Sequence, residues 1–307
     1  MNKLKKIFLT LAGVLMLSAC SFPGLASNTD EDTIAVTGGI TTESQILGSM
    51  VAGMIEHYTD KQTTIINNLG TTNINHQAML NGDADVSSTR YTGTDIASTL
   101  LLEPVMDPDQ AMEVVQKEFK ERYNQVWFPS YGFDNTYVFL VRKDTAEEYG
   151  LEKVSDLEPI ADELVVGADR AWMTREGDGY DGFTQAYGFE FSSILPMQIG
   201  LVYDAVDAHR MDVVLGYSTD GRIASYDLVM LEDDRQFFPP YDASPIVNQE
   251  LLDEVPELYD AIDRLSGKID TETMQRLNYE SDNDLVEPSI VAERFLEENN
   301  YFEGDAQ

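Results

Sequence analysis

The chain has 307 residues, of which 20 are lysine or arginine and 55 are aspartate or glutamate, and its formal net charge is −35. A surface this acidic repels nucleic acid and anionic lipid headgroups, so neither is an expected partner. The acidic residues are spread through helical stretches and form no single block, which is typical of a solvated surface. The single cysteine excludes disulfides within the chain. The length allows one large domain or two lobes.

The first 20 residues have the features of a processed signal. Lys3, Lys5 and Lys6 form a basic head, and residues 7–17 form an apolar run that is too short to cross a membrane as a helix. The next residues, Leu17-Ser18-Ala19-Cys20, resemble the lipobox of bacterial lipoproteins, whose cysteine is lipidated and becomes the new N-terminus. An ordinary secretory signal that ends in cysteine is the alternative. Residues 21–32 are polar and are predicted to form a flexible tether.

The folded part is predicted to begin with a strand at Thr33–Thr37, followed by Gly38-Gly39 and a helix. Thr42-Glu43-Ser44-Gln45 resembles a capping box, and the apolar residues after it have helical spacing, so this helix should pack against a sheet. Gln45 then lies in the first helical turn. Its amide either caps its own helix or reaches a ligand at the carboxyl end of the strand.

A second strand and helix lead to a third strand that ends at Tyr91. Residues 63–67 predict a strand, and residues 74–80 predict a short helix that stops at Asn81-Gly82. In Tyr91-Thr92-Gly93-Thr94-Asp95, a threonine is predicted to cap the next helix, and Gly93 is predicted to let the backbone approach a ligand. A tyrosine at such a strand-to-helix junction offers a π-face to a cation. The alternative is a core tyrosine beside a capped helix.

The chain then passes into a second set of strands and helices. An amphipathic helix over residues 108–123 is followed by a predicted crossing at residues 127–133. Tyr137 comes next, directly before an apolar strand at residues 138–141.

The second set continues with a strand at residues 164–168 and a loop that contains Arg175. This loop lacks the full pattern of a calcium-binding loop, so calcium is not expected there. A long helix is predicted from Ile194 to about His209, before a strand at residues 212–215 that leads to Tyr217. Tyr217 therefore repeats the arrangement of Tyr91, a tyrosine after a strand with Ser, Thr and Gly residues following it.

Residues 237–241 form a predicted return crossing, which places Tyr241 on the hinge side of a cleft. Residues 246–302 are predicted to be mainly helical. The alternation of strands and helices predicts an α/β fold with mostly parallel sheets. Two tyrosine junctions in two α/β halves indicate two lobes that face one cleft.

The chemistry of an enzyme is not visible in the sequence. The three histidines, His57, His76 and His209, are far apart and have no spacing that suits metal binding. No nucleophile elbow, phosphate-binding loop or dinucleotide glycine fingerprint is present. We therefore expect no catalytic residues, no metal and no cofactor.

Taken together, several segments resemble one family, the substrate-binding lipoproteins of osmoprotectant ABC importers, which take up glycine betaine, choline and carnitine. The resemblance covers essentially the whole mature chain. The segments that carry it, besides the lipobox, are residues 38–45, Tyr91-Thr92-Gly93-Thr94, Phe133-Asp134-Asn135-Thr136-Tyr137 and Gly216-Tyr217-Ser218-Thr219-Asp220-Gly221.

The resemblance implies a two-lobed periplasmic-binding-protein fold of type II with two crossings between the lobes. Lobe 1 would comprise residues 33–130 and 238–303, and lobe 2 would comprise residues 131–237. The family holds a quaternary ammonium in an aromatic cage, which here falls on Tyr91, Tyr137, Tyr217 and Tyr241. Gln45 and Thr94 would then meet the ligand carboxylate.

The same resemblance implies a partner and a location. The expected partner is the transmembrane permease of an ABC importer, and lipidation at Cys20 would hold the protein on the outer face of the cytoplasmic membrane. Ergothioneine-binding relatives share much of this scaffold, and ergothioneine also carries a trimethylammonium and a carboxylate. The loop of residues 175–180 is expected to line the mouth of the cleft and to tune the size of the ligand.

Overall fold

The computed structural model describes residues 33–175 and 177–302. The predicted signal peptide with Cys20, the predicted tether and Glu176 lie outside the described residues. The strands are β1 (Thr33–Thr37), β2 (Gln62–Ile66), β3 (Val86–Tyr91), β4 (Gln125–Trp127), β5 (Tyr137–Arg142), β6 (Val165–Asp169), β7 (Ser193–Met197), β8 (Val213–Tyr217), β9 (Leu228–Leu231) and β10 (Ala243–Asn248).

Helices separate most of these strands. They are α1 (Thr42–Tyr58), α2 (Thr72–Asn81), α3 (Thr92–Ser98), α4 (Pro108–Tyr123), α5 (Lys143–Tyr149), α6 (Arg170–Met173), α7 (Tyr180–Tyr187), α8 (Val202–Asp207), α9 (Arg222–Ser225), α10 (Gln249–Glu254), α11 (Glu257–Asp263), α12 (Thr271–Asp282) and α13 (Pro288–Glu298). Short 3₁₀ helices cover Val154–Ile160 and Ile199–Leu201.

The strands form two five-stranded sheets, which we call the first and the second sheet. The first has the order β2-β1-β3-β10-β4 and is parallel except for β10. The second has the order β7-β6-β8-β5-β9 and is parallel except for β5. In each sheet, the antiparallel strand is the first strand after the chain crosses over from the other sheet. The predicted α/β fold with mostly parallel sheets is therefore confirmed.

Each sheet has its own hydrophobic core. Ile46, Leu47 and Met50 of α1 are fully buried against the first sheet, as their helical spacing predicted. Phe139 of β5 and Trp172 of α6 lie in the main core of the second sheet. The two halves therefore each bury apolar surface of their own, and the chain segments between them are free to act as connectors.

Two segments connect the halves, and they run side by side. Residues 128–136 join β4 to β5, and residues 232–242 join β9 to β10. The backbone N–H of Asn135 donates to Tyr241 O at 3.2 Å, and the N–H of Tyr241 donates to Asp134 Oδ1 at 2.8 Å. The two predicted crossings are thus present and hydrogen-bonded to each other, while the residue bounds of the two lobes stay predictions.

The predicted start of α1 was one residue late. Thr41 is the N-cap, and its Oγ1 accepts a hydrogen bond from Ser44 N at 3.2 Å. Thr42 is the first helical residue, so the capping box read from Thr42 to Gln45 was wrong. Glu43 is therefore not used for capping, and its side chain contacts other parts of the structure.

The long helix predicted over residues 194–209 was also wrong. Its first part forms β7, which pairs in parallel with β6 at the edge of the second sheet. Pro196 lacks an N–H, and an edge strand tolerates this because one of its sides has no neighbouring strand. Only Val202–Asp207 forms an α-helix, so tertiary pairing with β6 overrode the helical spacing of the apolar residues.

A buried ion pair fixes the junction between β3 and α3. Arg90 and Asp95 are 1% and 0% exposed, and Arg90 Nε donates to Asp95 Oδ2 at 3.0 Å, with a second contact between Nη2 and Oδ1. Thr99 Oγ1 also donates to Asp95 Oδ1 at 2.6 Å. Tyr91 and Thr94 lie between the two partners in the sequence. The ion pair therefore holds the backbone of both residues in place.

Removing one partner of this pair should destabilise the protein strongly. Asp95→Ala leaves the Arg90 charge buried without its carboxylate, and we expect the free energy of unfolding to fall by about 3–5 kcal/mol in urea denaturation. Glu118→Ala is the matched control, because it removes a partly exposed partner of Arg122 (2.6 Å) and should cost below about 1 kcal/mol. Equal losses for the two variants would contradict the role assigned to the buried pair.

A second prediction concerns the pH dependence of stability at the crossings. The pKa of Asp134 is raised to about 7, chiefly by burial and also by the neighbouring Asp242 carboxyl, although the hydrogen bond from Tyr241 N opposes the shift. The folded state therefore keeps a proton that the unfolded chain loses near the ordinary pKa of 3.8. Stability consequently falls as the pH rises from about 4 to about 7.

Asp134→Asn should abolish this loss of stability at higher pH. Its amide oxygen can still accept a hydrogen bond from Tyr241 N, and the amide carries no charge. We expect the variant to be more stable than the wild type by about 1–3 kcal/mol at pH 8, and to have a much smaller advantage at pH 5. Urea denaturation at both pH values measures the difference. If the variant is more stable than the wild type by the same amount at pH 5 and at pH 8, Asp134 does not titrate between these pH values.

Candidate functional site

A cavity of about 340 Å³ lies between the two sheets. The chain segments that follow β1, β2, β3 and β6 and the last residue of β8 contribute to its wall, so it lies at the carboxyl ends of strands, where α/β proteins bind ligands. It is lined by Gly39, Ile40, Thr41, Ser44, Leu69, Gly70, Thr71, Thr72, Asn75, Thr89, Tyr91, Thr94, Asn135, Tyr137, Arg175, Tyr217 and Tyr241.

Five of the six ligand-binding residues predicted from the sequence meet in this cavity. They are Tyr91, Thr94, Tyr137, Tyr217 and Tyr241. Gln45 is not among the lining residues. It lies in the first turn of α1, where its backbone N–H donates to Thr41 O at 3.1 Å. Its side chain therefore stands outside the cavity wall in this conformation.

Tyr137 and Tyr217 form a pair on the side of the second sheet. They lie directly opposite each other on the antiparallel strands β5 and β8. Their ring centroids are 5.1 Å apart and the ring planes are inclined at 39°. Burial and the adjoining Tyr217 raise the pKa of Tyr137 far above its usual range, so its hydroxyl stays protonated. The pair gives the cavity two adjacent aromatic surfaces.

Tyr241 reaches the cavity from the second crossing, where the side chains of the loop after α6 hold its hydroxyl. Tyr241 Oη donates to Asp178 Oδ2 at 2.8 Å and accepts from Arg175 Nη2 at 2.9 Å. Arg175 Nε is 2.7 Å from Asp178 Oδ1. The Arg175 guanidinium carbon also lies 5.9 Å from the Tyr137 ring centroid and 6.0 Å from that of Tyr241, within cation–π range.

Tyr91 closes the cavity on the side of the first sheet. Its hydroxyl donates to Glu43 Oε1 at 2.6 Å, and Asn135 Nδ2 donates to the same oxygen at 2.8 Å. Burial and the Glu43 carboxylate hold the pKa of Tyr91 well above its usual range. The ring of Tyr91 is therefore fixed at its outer end, which leaves its face as the part that can contact a ligand.

The local roles predicted for the residues after Tyr91 were wrong in two respects. The N-cap of α3 is Tyr91 itself, without a side-chain hydrogen bond, and Thr92 Oγ1 instead donates to Pro240 O at 3.0 Å. Gly93 approaches the second crossing and not a ligand, because a Cβ there would lie 2.6 Å from Pro240 O. Both residues therefore contact the second crossing. Thr94 is the threonine of this segment that lines the cavity.

Sequence reasoning missed the charged residues around the cage. Glu43 was interpreted only as part of a capping box, although it is 4% exposed and contacts Tyr91. Arg175 was placed at the cleft mouth, but its contact with Tyr241 was not foreseen. The one signal available was that a glutamate and an arginine lay in segments already assigned to the cleft. Neither contact follows from spacing, since the partners are 48 and 66 residues apart.

The arrangement favours binding over reaction. The wall combines aromatic faces, hydroxyls and amides, and among its described residues only Arg175 carries a charge. Within residues 33–175 and 177–302, no three histidine, cysteine or acidic side chains are arranged to hold a metal ion. No helix in this part of the chain is long and apolar enough to span a membrane.

Comparisons with known proteins agree with this site. Residues 32–298 match a family described as the substrate binding domain of ABC-type glycine betaine transport systems. The chain is 54% identical over 307 residues to the carnitine transport binding protein OpuCC of Listeria monocytogenes, covering 98% of this chain and 99% of that protein.

Two further likenesses extend the comparison. A solved structure of a glycine betaine/carnitine/choline ABC transporter superposes with a TM-score of 0.85 at 51% identity, covering 88% of this chain and all of that one. The ergothioneine transport permease/ergothioneine binding protein EgtU of Helicobacter pylori is 33% identical over 95% of this chain and 53% of its own length. These relatives are transport proteins and not enzymes, as the sequence predicted.

The fold, the cavity between its two halves and the match over nearly all of the described residues lead to one assignment. The chain belongs to the family of substrate-binding domains of ABC-type glycine betaine transport systems.

Proposed function

We propose that this protein captures quaternary ammonium osmoprotectants, namely glycine betaine, carnitine and choline, and delivers them to the permease of an ABC importer. The observation that carries the proposal is the convergence of Tyr91, Tyr137, Tyr217 and Tyr241 on one cavity. The four tyrosines come from both sheets and from one crossing, so they surround the cavity from different directions.

The chemistry of the cation explains why tyrosines are suitable. A trimethylammonium group has no N–H to donate, so a protein holds it with π-faces and with the dipoles of oxygen atoms. A desolvated cation–π contact contributes about 1–2 kcal/mol, and four such contacts are enough for micromolar affinity. Arg175 already places a guanidinium against Tyr137 and Tyr241, which supports the view that these two faces accept a cation.

The carboxylate of the ligand needs a second set of contacts. We propose that Thr94 donates to it, as the family resemblance implies, and that Arg175 attracts it as the one charged residue among the described residues of the wall. Gln45 remains a candidate for this role, and its side chain would have to turn toward the cavity on binding. Choline has no carboxylate, so these contacts would favour glycine betaine and carnitine.

Ergothioneine is the second candidate ligand. It carries a trimethylammonium and a carboxylate, and the Helicobacter pylori relative supports this alternative at 33% identity. The Listeria monocytogenes protein, at 54% identity, supports carnitine more strongly. Calorimetry with glycine betaine, carnitine, choline, ergothioneine and proline distinguishes the candidates. Binding of ergothioneine alone would replace the osmoprotectant proposal, and binding of proline alone would reject the cage.

Substitutions of the tyrosines test the cage directly. Replacing Tyr137 or Tyr217 with Ala removes a π-face and should weaken glycine betaine binding by roughly 5- to 150-fold. The Phe variants keep the face, and the hydroxyl of Tyr137 is paired with another hydroxyl, that of Tyr217, so they should lose little. Tyr91→Phe and Tyr241→Phe should lose more, because their hydroxyls hold charged groups.

Calorimetric affinities for the Ala and Phe variants of all four tyrosines check this prediction, with Tyr149→Ala as the control. Tyr149 is 45% exposed and lies outside the cavity wall, so its loss should leave affinity unchanged. The cage is wrongly placed if three or more of the Ala variants bind like the wild type. Equal losses for Ala and Phe at Tyr137 and Tyr217 would mean that hydroxyl contacts dominate.

The location of the protein follows from its N-terminal segment. We propose that the chain is cleaved before Cys20, that Cys20 is lipidated, and that the protein is held on the outer face of the cytoplasmic membrane. The basic head, the short apolar run and Leu17-Ser18-Ala19-Cys20 support this proposal. The polar residues 21–32 would then connect the lipid anchor to the folded part.

Replacing the cysteine tests the anchor. Cys20→Ala should move the protein out of the membrane fraction, because no acyl chain can then be attached, while Ser21→Ala should remain with the membranes. Immunoblots of fractionated cells measure the distribution. Retention of Cys20→Ala in the membrane fraction would reject lipidation as the means of attachment.

A further inference from the structure

A buried carboxylate stands directly behind the cage. Glu43, the second residue of α1, is 4% exposed, and it does not itself line the cavity. Its Oε1 accepts hydrogen bonds from Tyr91 Oη at 2.6 Å and from Asn135 Nδ2 at 2.8 Å, and both of these residues do line the cavity. The carboxylate is therefore one hydrogen bond away from two side chains of the cavity wall.

Hydrogen-bond donors surround the carboxyl group of Glu43. Its third contact is Asn278 Nδ2 of α12, at 3.4 Å from Oε2, so all three partners are donors. The partners are also neutral. Among the described residues, no lysine or arginine forms an ion pair with Glu43. The N-terminal position in α1 adds the favourable end of the helix dipole.

A buried negative charge without a cation is costly, which is why such groups are rare outside functional sites. The cost falls when a positive charge enters the neighbouring space. A cation held against the face of Tyr91, within about 6 Å of the ring centroid, would lie roughly 7–8 Å from the Glu43 carboxylate. The side chains of Tyr91 and Asn135 occupy part of the space between them, and an attraction through protein is screened less than one through bulk water.

We infer that Glu43 supplies the fixed negative charge that compensates the ammonium group of the ligand. The inference rests on the proposed function of the cage and adds a residue that determines specificity. Through Tyr91, the carboxylate also raises the electron density of the ring to which its hydroxyl belongs, which strengthens the cation–π contact. Glu43 thus selects a permanent cation against an uncharged group of the same shape.

The substitution Glu43→Gln removes the negative charge and keeps the hydrogen bonds that position Tyr91 and Asn135. Both short hydrogen bonds end on Oε1, and the amide oxygen of glutamine can accept both of them. The test compares glycine betaine with tert-butylacetate, in which a carbon replaces the ammonium nitrogen. We expect the variant to bind glycine betaine roughly 5- to 50-fold more weakly, and tert-butylacetate no more weakly than the wild type does.

Asp85→Asn is the matched control. It removes another acidic charge of the same half, and its amide oxygen can still accept from Ala35 N. Asp85 precedes β3, six residues before Tyr91, or roughly 20 Å along the strand. It should leave the affinities for both compounds unchanged. A loss equal to that of Glu43→Gln would show a general effect of net charge.

The outcomes separate this inference from the proposed function. If Glu43→Gln lowers the affinity for both compounds by the same factor, or for neither, Glu43 is only a scaffold for Tyr91 and the inference is overturned. If the wild type binds none of glycine betaine, carnitine and choline, the proposed function itself fails.

A second measurement uses glycine betaine alone and does not depend on the affinity of the isostere. Tyr91→Phe removes the hydrogen bond to Glu43. In that background, Glu43→Gln should still weaken binding by at least about fivefold if the charge acts through space. No further loss would indicate that Glu43 acts only through its bond to Tyr91. Should Glu43→Gln not fold, Glu43→Asp keeps the charge, and loss of binding to the level of Tyr91→Ala would overturn the inference.

Discussion

The trimethylammonium group of the proposed ligands cannot donate a hydrogen bond, and the architecture of the site suits this constraint. Aromatic faces line the cavity from both sheets and from one crossing. Tyr91 is brought from the first sheet, Tyr137 and Tyr217 from the second, and Tyr241 from a crossing. The relative placement of these rings therefore depends on the paired crossings, which are joined by a hydrogen bond between backbone groups and by one from the Tyr241 N–H to the Asp134 side chain.

The hydroxyls of the cage tyrosines hold the rings in place. Tyr91 is tied to Glu43, and Tyr241 is tied to Asp178 and Arg175. A ring fixed at its hydroxyl end loses little conformational entropy on binding, because it is already oriented toward the cavity. The charged partners thus contribute to affinity in two ways, by ordering the rings and by shaping the electrostatic potential around them.

The distribution of charge differs between the surface and the cavity. The chain carries 55 acidic residues, yet the described wall of the cavity contains a single charged side chain, that of Arg175. Salt screens the mutual repulsion of exposed charges over about 10 Å at 0.1 M, while charges in a desolvated site are screened much less. The electrostatics of the cavity should therefore depend less on ionic strength than those of the surface.

The sequence alone predicted the fold class, the two crossings and the four tyrosines that line the cavity. Hydrophobic periodicity and glycine positions are local signals, so β1, β3 and the apolar face of α1 could be predicted from neighbouring residues. The family resemblance then assigned Tyr91, Tyr137, Tyr217, Tyr241 and Thr94, and all five line the cavity. Where a local signal had a competitor, as with Thr41 and Thr42 at the start of α1, the prediction missed by one residue.

Tertiary structure decided the features that depend on contacts between distant segments. Residues 194–197 were predicted to begin a helix, but pairing with β6 made them an edge strand. Glu43 and Tyr91 are 48 residues apart, and Arg175 and Tyr241 are 66 apart, so no spacing rule could join them. Burial is likewise a property of the assembled fold. It turns Glu43 from one of many acidic residues into a charge beside the cage, because the elements around it exclude water.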